Sequence, residues 1–225
     1  MIETNPPVRS VRAPNHLVAS ADQLATSAGV EMFARGGNAV DAAIATNAAI
    51  AITGPHLCGM GGDLFALVHH DGEIIGLNAS GRAGSGADPG ALRAESHTEM
   101  PFRHDIRSVT IPGCVDGWVA LHARFGSLPL DTIFAPAIRL ANDGFPASPL
   151  LAAAVHLLPP ESREHLQELA TQADKRGRRV RRPGAASALM SIAAGGRDTF
   201  YRGAFGEGLV GLGEGLFDHD DLAVP

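Results

Sequence analysis

The sequence predicts a helix-rich α/β chain in which helices stack on a sheet. Three observations predict it. Residues 39–52 form a long Ala/Ile/Val stretch that is apolar nearly all round, the mark of a helix enclosed by other elements. A short apolar strand at 64–68 and a second at 73–77 flank Asp71-Gly72, a strong hairpin signal. Helical periodicity then returns in at least four later segments, which places most of the chain in helices around that sheet.

In chain order, residues 1–15 are proline-rich and read as an extended leader. Residues 16–19 read as a short strand, and Ser20 as the cap of a helix over 21–34, which Gly36-Gly37 stops. Asn38 is a good N-cap for the apolar helix, with Asp41 in its first turn. That helix ends near Gly54-Pro55, and a glycine-dense turn (Gly59, Gly61, Gly62) leads into the hairpin. Residues 83–104 are loose, with one helical turn near Pro89 and a loop at 101–104. A strand is expected at 107–111, then helices at 115–125, 135–142 and from Pro149, which Ser148 caps with proline at the first helical position. Residues 185–195 and 199–216 read as two helices around a GGRDTFYRG turn.

Composition narrows the class. Of 225 residues, 45% are hydrophobic and 19% charged, enough apolar material for a core in a globular protein. Aromatics are only 5%, so aliphatic side chains must fill the interior. A formal charge of −6 argues against a general polyanion binder. Two cysteines, Cys58 and Cys114, cannot make a disulfide framework and read as buried thiols. The N-terminus has no apolar signal region, and the longest apolar stretch is too short for a membrane span, so a cytoplasmic location is expected.

Several residues could carry chemistry. Arg82 follows the hairpin in a glycine-rich setting, where a guanidinium could hold a carboxylate bidentately; a surface ion pair is its competing role. The turn Gly59-Met60-Gly61-Gly62 lacks any phosphate-loop pattern, and its glycines serve close packing or close ligand approach. His56 and Asp63 flank that turn as site-lining candidates. No histidine group has metal-ligand spacing, and neither a metal nor an organic cofactor is expected. The run KRGRRVRR, from Lys175 to Arg182, holds six of the eighteen basic residues. It reads as a solvated loop, with a nucleic-acid-binding module as the alternative from a different functional class.

The segments GGNAVDAA, GPHLCGMGGDLFALV and NASGR resemble the amino-terminal signature of the gamma-glutamyltranspeptidase family of N-terminal-nucleophile hydrolases. The resemblance continues through SVTIPGCVDGWVALHARFGSLPL, FAPAIRLANDGFPASPLLAAAV and IAAGGRDTFYRG, over roughly residues 16–222. It implies part of a four-layer αββα sandwich, with residues 16–225 as a partial large-subunit domain. It also implies that Arg82 holds the substrate's α-carboxylate. The family's chemistry uses a threonine whose own α-amino group is the base. None of the threonines here stands in that context, so no catalytic nucleophile is expected in this chain, and the chain alone is expected to be inactive. The implied partners are a small catalytic subunit from the same precursor and a gamma-glutamyl or related amide substrate. Two departures bear on specificity. Ala83 stands where the family usually has an acid after the arginine, and Asp63 replaces a glycine of the turn. The Asp63 carboxylate could favour an amine or alter substrate choice, while Ala83 and the absent signal region point toward a cytoplasmic amidohydrolase or acylase with another acyl group as an alternative; an inactive fragment is a further one.

Overall fold

The computed structural model describes residues 11–101 and 105–223. Most of the leader and of the loop expected at 101–104 lie outside them. Helix α1 (Gln23–Ala34) starts at Asp22, whose carboxylate accepts the Leu24 and Ala25 amides. Ser20 therefore does not cap it. Its hydroxyl instead bonds around the Asp22 backbone, because a carboxylate two residues on is the better acceptor for the helix amides. Gly36, at φ +84°, closes α1 with the paired bonds of a Schellman turn, Gly37 N–H to Met32 and Gly36 N–H to Phe33.

Helix α2 (Ala39–Thr53) carries the capping box that Asn38 and Asp41 promise. The hairpin is β1 (Leu64–His70) against β2 (Glu73–Ala79), in antiparallel register Leu64↔Ala79 to His70↔Glu73. Asp71 and Gly72 at its tip both have positive φ, the type I′ geometry a two-residue turn prefers. The next elements are α3 (Pro89–Ala94), a 3-10 turn (Ile106–Ser108), α4 (Cys114–Phe125) and α5 (Leu130–Asp143). Beyond them lie β3 (Phe145–Pro146), α6 (Pro149–His156), α7 (Pro160–His165) and α8 (Gln167–Gln172). The chain continues through β4 (Arg179–Val180), α9 (Pro183–Gly195), α10 (Arg197–Tyr201), α11 (Ala204–Gly213) and α12 (His219–Ala223).

Two expected strands do not form. Residues 16–19 have no strand partner, and His16 stacks on Phe33 instead, ring centroids 4.3 Å apart. At 107–111 Asp105 accepts the Arg107 amide and starts the 3-10 turn, a local bond that competes with a ladder. The basic run is only partly a solvated loop. Val180 is buried and pairs with Phe145 in β3–β4, and Arg182 donates to the Ala51 and Ile52 carbonyls at the end of α2.

Helix α2 is the centre. It packs against α1, α4 and α5, and α5 packs on α9. Trp118 of α4 is fully buried against Phe134 and donates its indole N–H to Asn47 Oδ1 of α2 at 2.8 Å. The hairpin lays one face, Leu64, Ala66, Val68 and Leu77, on the core. Its other face exposes Phe65, Leu67 and Ile74, at 64%, 81% and 74%. Among the described residues this sheet has two strands, so a sheet that buries one face leaves the other apolar and open. No helix among the described residues is long and apolar enough to cross a membrane.

Asp41 is the notable buried charge, at 0% exposure. Burial pushes its carboxyl pKa up. Bonds from the Ser127 hydroxyl and from the Asn38, Ser127 and Leu128 amides outweigh that and hold it below the usual aspartate range. A pKa lowered by folding adds stability above the unfolded pKa, and that stability is lost as pH falls through the folded one. Asp41→Ala should therefore cost about 2–4 kcal/mol at pH 7. In urea melts the gap between variant and parent should shrink below about pH 4. The outer hairpin face should drive self-association of the chain. Leu67→Lys with Ile74→Lys should reduce the sedimenting mass without lowering the melting temperature.

Candidate functional site

The site grows from a backbone contact. After β2, the Thr110 hydroxyl donates to the Ser80 carbonyl at 3.0 Å, and the Ile111 amide donates to the Arg82 carbonyl at 2.9 Å. Gly81 sits at φ +78°, and a Cβ there would lie 1.8 Å from the Ile111 oxygen. Across the contact, a Cβ on Gly113 would lie 2.1 Å from the Ala79 oxygen. The two segments touch main chain to main chain, and only glycine allows it at these two points.

Arg82 emerges from this contact at the mouth of a cleft of about 450 Å³ between β2 and α4. Leu77, Ala79, Ile111, Pro112, Gly117 and Ala120 are among its walls, so the hollow that Arg82 helps to line is largely apolar. The guanidinium donates through Nη2 to the Asp221 main-chain carbonyl. The Asp221 carboxylate accepts the Ser85 amide and hydroxyl, both at 2.9 Å, and the Asp218 amide at 3.1 Å. Burial pushes this carboxyl pKa up, but those bonds and the Arg82 charge bring it below the ordinary value.

The acid that lines the cleft, Asp116, is tied to Arg197, Nε to Oδ1 at 2.6 Å, with both side chains mostly buried. Arg197 lies over the Tyr201 ring, 4.5 Å from its centroid. The buried Tyr201 hydroxyl donates to the Pro112 carbonyl and accepts the Asp116 amide. Burial pushes the Tyr201 pKa up, which keeps the phenol protonated for that donation. One phenol thus pins the Pro112-Gly113 turn that backs the arginine.

The residues singled out in the sequence do not form one pocket. Gly59 and Gly61, with Met60, line a different groove of about 630 Å³ beside Phe205 and Arg182. Gly62 and Asp63 are exposed and line neither cavity; the Gly62 carbonyl accepts the Cys114 amide at 3.0 Å, which joins the glycine turn to α4. Both His56 ring nitrogens are buried with no hydrogen-bond partner among the described residues, and burial lowers its pKa. Cys58 and Cys114 are free thiols, and burial pushes Cys114 up to about 12, so neither is a ready nucleophile. No three His, Cys, Asp or Glu side chains converge as metal ligands among the described residues. Asp116, Arg197, Tyr201 and Asp221 carry no role in the sequence reading. Asp218-x-x-Asp221 has capping-box spacing and could have been read.

The gamma-glutamyltranspeptidase family model matches residues 25–223. The chain belongs to that family. A glutathione hydrolase-like YwrD proenzyme from Bacillus subtilis is 33% identical over 90% of this chain and 39% of its own length. An oxamate amidohydrolase proenzyme from Klebsiella pneumoniae is 36% identical over 88% of this chain and 38% of its own. The chain thus spans less than two fifths of either relative.

The solved gamma-glutamyltranspeptidase of Pseudomonas nitroreducens, complexed with L-DON, superposes with a TM-score of 0.82. It is 27% identical, and the match covers 95% of this chain and 66% of that one. A cephalosporin acylase from Bacillus halodurans gives 0.80 at 30% identity, over 98% of this chain and 45% of that one. The helix-rich α/β architecture is therefore that of the gamma-glutamyltranspeptidases and their N-terminal-nucleophile relatives.

Tyr201→Phe would leave the Pro112 carbonyl without its phenol donor and the Asp116 amide without its acceptor. Denaturant unfolding should show a loss of about 1–3 kcal/mol, with little change in m.

Proposed function

We propose that this chain supplies the carboxylate-recognising part of an amide-cleaving acyltransferase or hydrolase, and that a second polypeptide segment supplies the nucleophile. The observation that carries this reading is Arg82 at the mouth of the cleft between β2 and α4 in a gamma-glutamyltranspeptidase-family chain. A guanidinium is always charged and offers parallel N–H groups, so it can hold an α-carboxylate while the hydrocarbon part of the acyl group lies along Leu77, Ile111 and Ala120.

The reaction class is acyl transfer. A threonine hydroxyl outside this chain attacks the amide carbon, with its own α-amino group taking the proton. The amine leaves with a proton, and water or an acceptor amine then cleaves the ester. This chain's share is to hold the acid end of the substrate so that its amide faces the attacking hydroxyl. The open face of Phe65, Leu67 and Ile74 supports a partner segment, since packing there would complete a sheet layer that lacks one. The proenzyme names of the relatives support the same division.

A second reading keeps the machinery and changes the acid. Ala83 leaves no carboxylate next to Arg82 to engage a substrate amine, and an oxamate amidohydrolase is among the relatives. On that reading the best substrate carries a carboxylate but no α-amino group.

The isolated chain should not cleave a gamma-glutamyl anilide, and adding a threonine-initiated small subunit in trans should restore turnover. In that complex Arg82→Ala should raise KM for a carboxylate-bearing substrate about 100-fold, with a smaller change in kcat. The analogue lacking the carboxylate should hardly notice the change. Equal effects on both substrates would remove Arg82 from recognition. A panel of gamma-glutamyl, oxamyl and simple dicarboxylic monoamides separates the two readings.

A further inference from the structure

Arg82 is exposed, and a long exposed side chain has many rotamers to lose before it can hold anything. One restraint on it comes from the other end of the chain. Segment 84–86 runs against segment 215–217 with the main chains in contact. The Gly86 amide donates to the Leu216 carbonyl at 3.2 Å. A Cβ on Gly84 would lie 2.1 Å from the Leu216 oxygen, and one on Gly86 would lie 2.0 Å from the Gly215 oxygen.

The clasp is closed by Asp221, 8% exposed. One oxygen of its carboxylate takes the Ser85 amide, the Ser85 hydroxyl and the Asp218 amide. Asp218 returns the bond, its Oδ1 accepting the Asp221 amide at 2.7 Å. The same residue's main-chain carbonyl accepts from Arg82 Nη2. Asp221 therefore holds the loop three residues past the arginine with its side chain, and the arginine itself with its main chain.

We propose that Asp221 is a positioning residue: by clasping the Asp218–Asp221 turn to Ser85 it presents a fixed carbonyl to Arg82 and sets where the guanidinium points. That this orientation serves carboxylate binding rests on the function proposed above; the orientation itself does not. The predicted hierarchy follows from the bonds. Asp221→Ala removes all three acceptor contacts. Asp221→Asn keeps an amide oxygen for the same donors and should restore most of the effect. Ser85→Ala removes the hydroxyl's bonds to the Asp221 and Asp218 carboxylates, keeps the Ser85 amide bond, and should sit between them.

The test uses the 225-residue chain carrying 15N-labelled arginine. The Arg82 Nε–H signal, assigned by its loss in Arg82→Lys, reports side-chain order through its heteronuclear NOE, and a glutamate titration follows the same signal. In the parent chain Arg82 should be ordered. In Asp221→Ala the NOE should fall below that of the parent, and glutamate binding should weaken about tenfold. Asp221→Asn should stay within about twofold of the parent. An Asp221→Ala chain that is folded by circular dichroism and keeps an ordered Arg82 overturns the proposal. Should Asp221→Ala not fold, Ser85→Ala decides: lowered Arg82 order supports the clasp, and unchanged order overturns it. If neither glutamate nor glutarate, which lacks the α-amino group, moves the parent's Arg82 signal, the proposed carboxylate function fails, while the order measurements still decide the role of Asp221.

Discussion

A helix that is apolar on every side has to be enclosed, and its two ends must then be satisfied by protein rather than by water. Helix α2 meets that constraint with opposite charges. At its start Asp41, with no exposed surface, takes amide and hydroxyl donors from both Asn38 and the 127–128 loop. At its end Arg182 donates to the Ala51 and Ile52 carbonyls. Each charge complements the dipole at the end it occupies, and each comes with a long-range bond. Asp41 fixes the approach to α5, and Arg182 fixes the start of α9. The packing around α2 is thus also the packing that holds α4 in place under the hairpin.

From that frame the cleft follows by contact of main chains. Ala79–Arg82 lies on Ile111–Gly113, and Gly84–Gly86 lies on Gly215–Phe217. A side chain at Gly81, Gly84, Gly86 or Gly113 would force the segments apart, and the arginine between them would move with the loop. Tyr201 and Arg197 support one side of this arrangement from α10, and Asp221 supports the other from α12. Elements near the C-terminal end of the chain thereby set the geometry of a residue near position 80. The open hairpin face lies on the same strands, so recognition of an acid and association with another polypeptide would share one sheet.

Much of the fold is legible residue by residue. Asn38 with Asp41, the Asp71-Gly72 turn and Ser148-Pro149 each act within four residues, and each behaves in the structure as its local chemistry implies. The misreadings also have local causes. Asp22 takes the helix amides in place of Ser20, Asp105 takes the Arg107 amide and starts a 3-10 turn where a strand is expected, and a strand at 16–19 finds no partner among the described residues. The candidate site was half legible. Arg82 is where a cleft is, whereas the glycine turn belongs to another groove and Asp63 faces solvent.

The sequence by itself determined α1, α2, α4, α6 and α9, the hairpin, the buried nature of α2 and the family, because these rest on spacing, capping and motif order within short windows; it missed α7 and α8 and read α10 and α11 as one helix. Only the tertiary structure decided that Arg182 is a helix-end ligand rather than part of a basic surface. Only it joined Arg82 to Asp221, 139 positions away. Such contacts depend on which main chains approach closely enough to touch, and that distance is set by the packing of the whole chain.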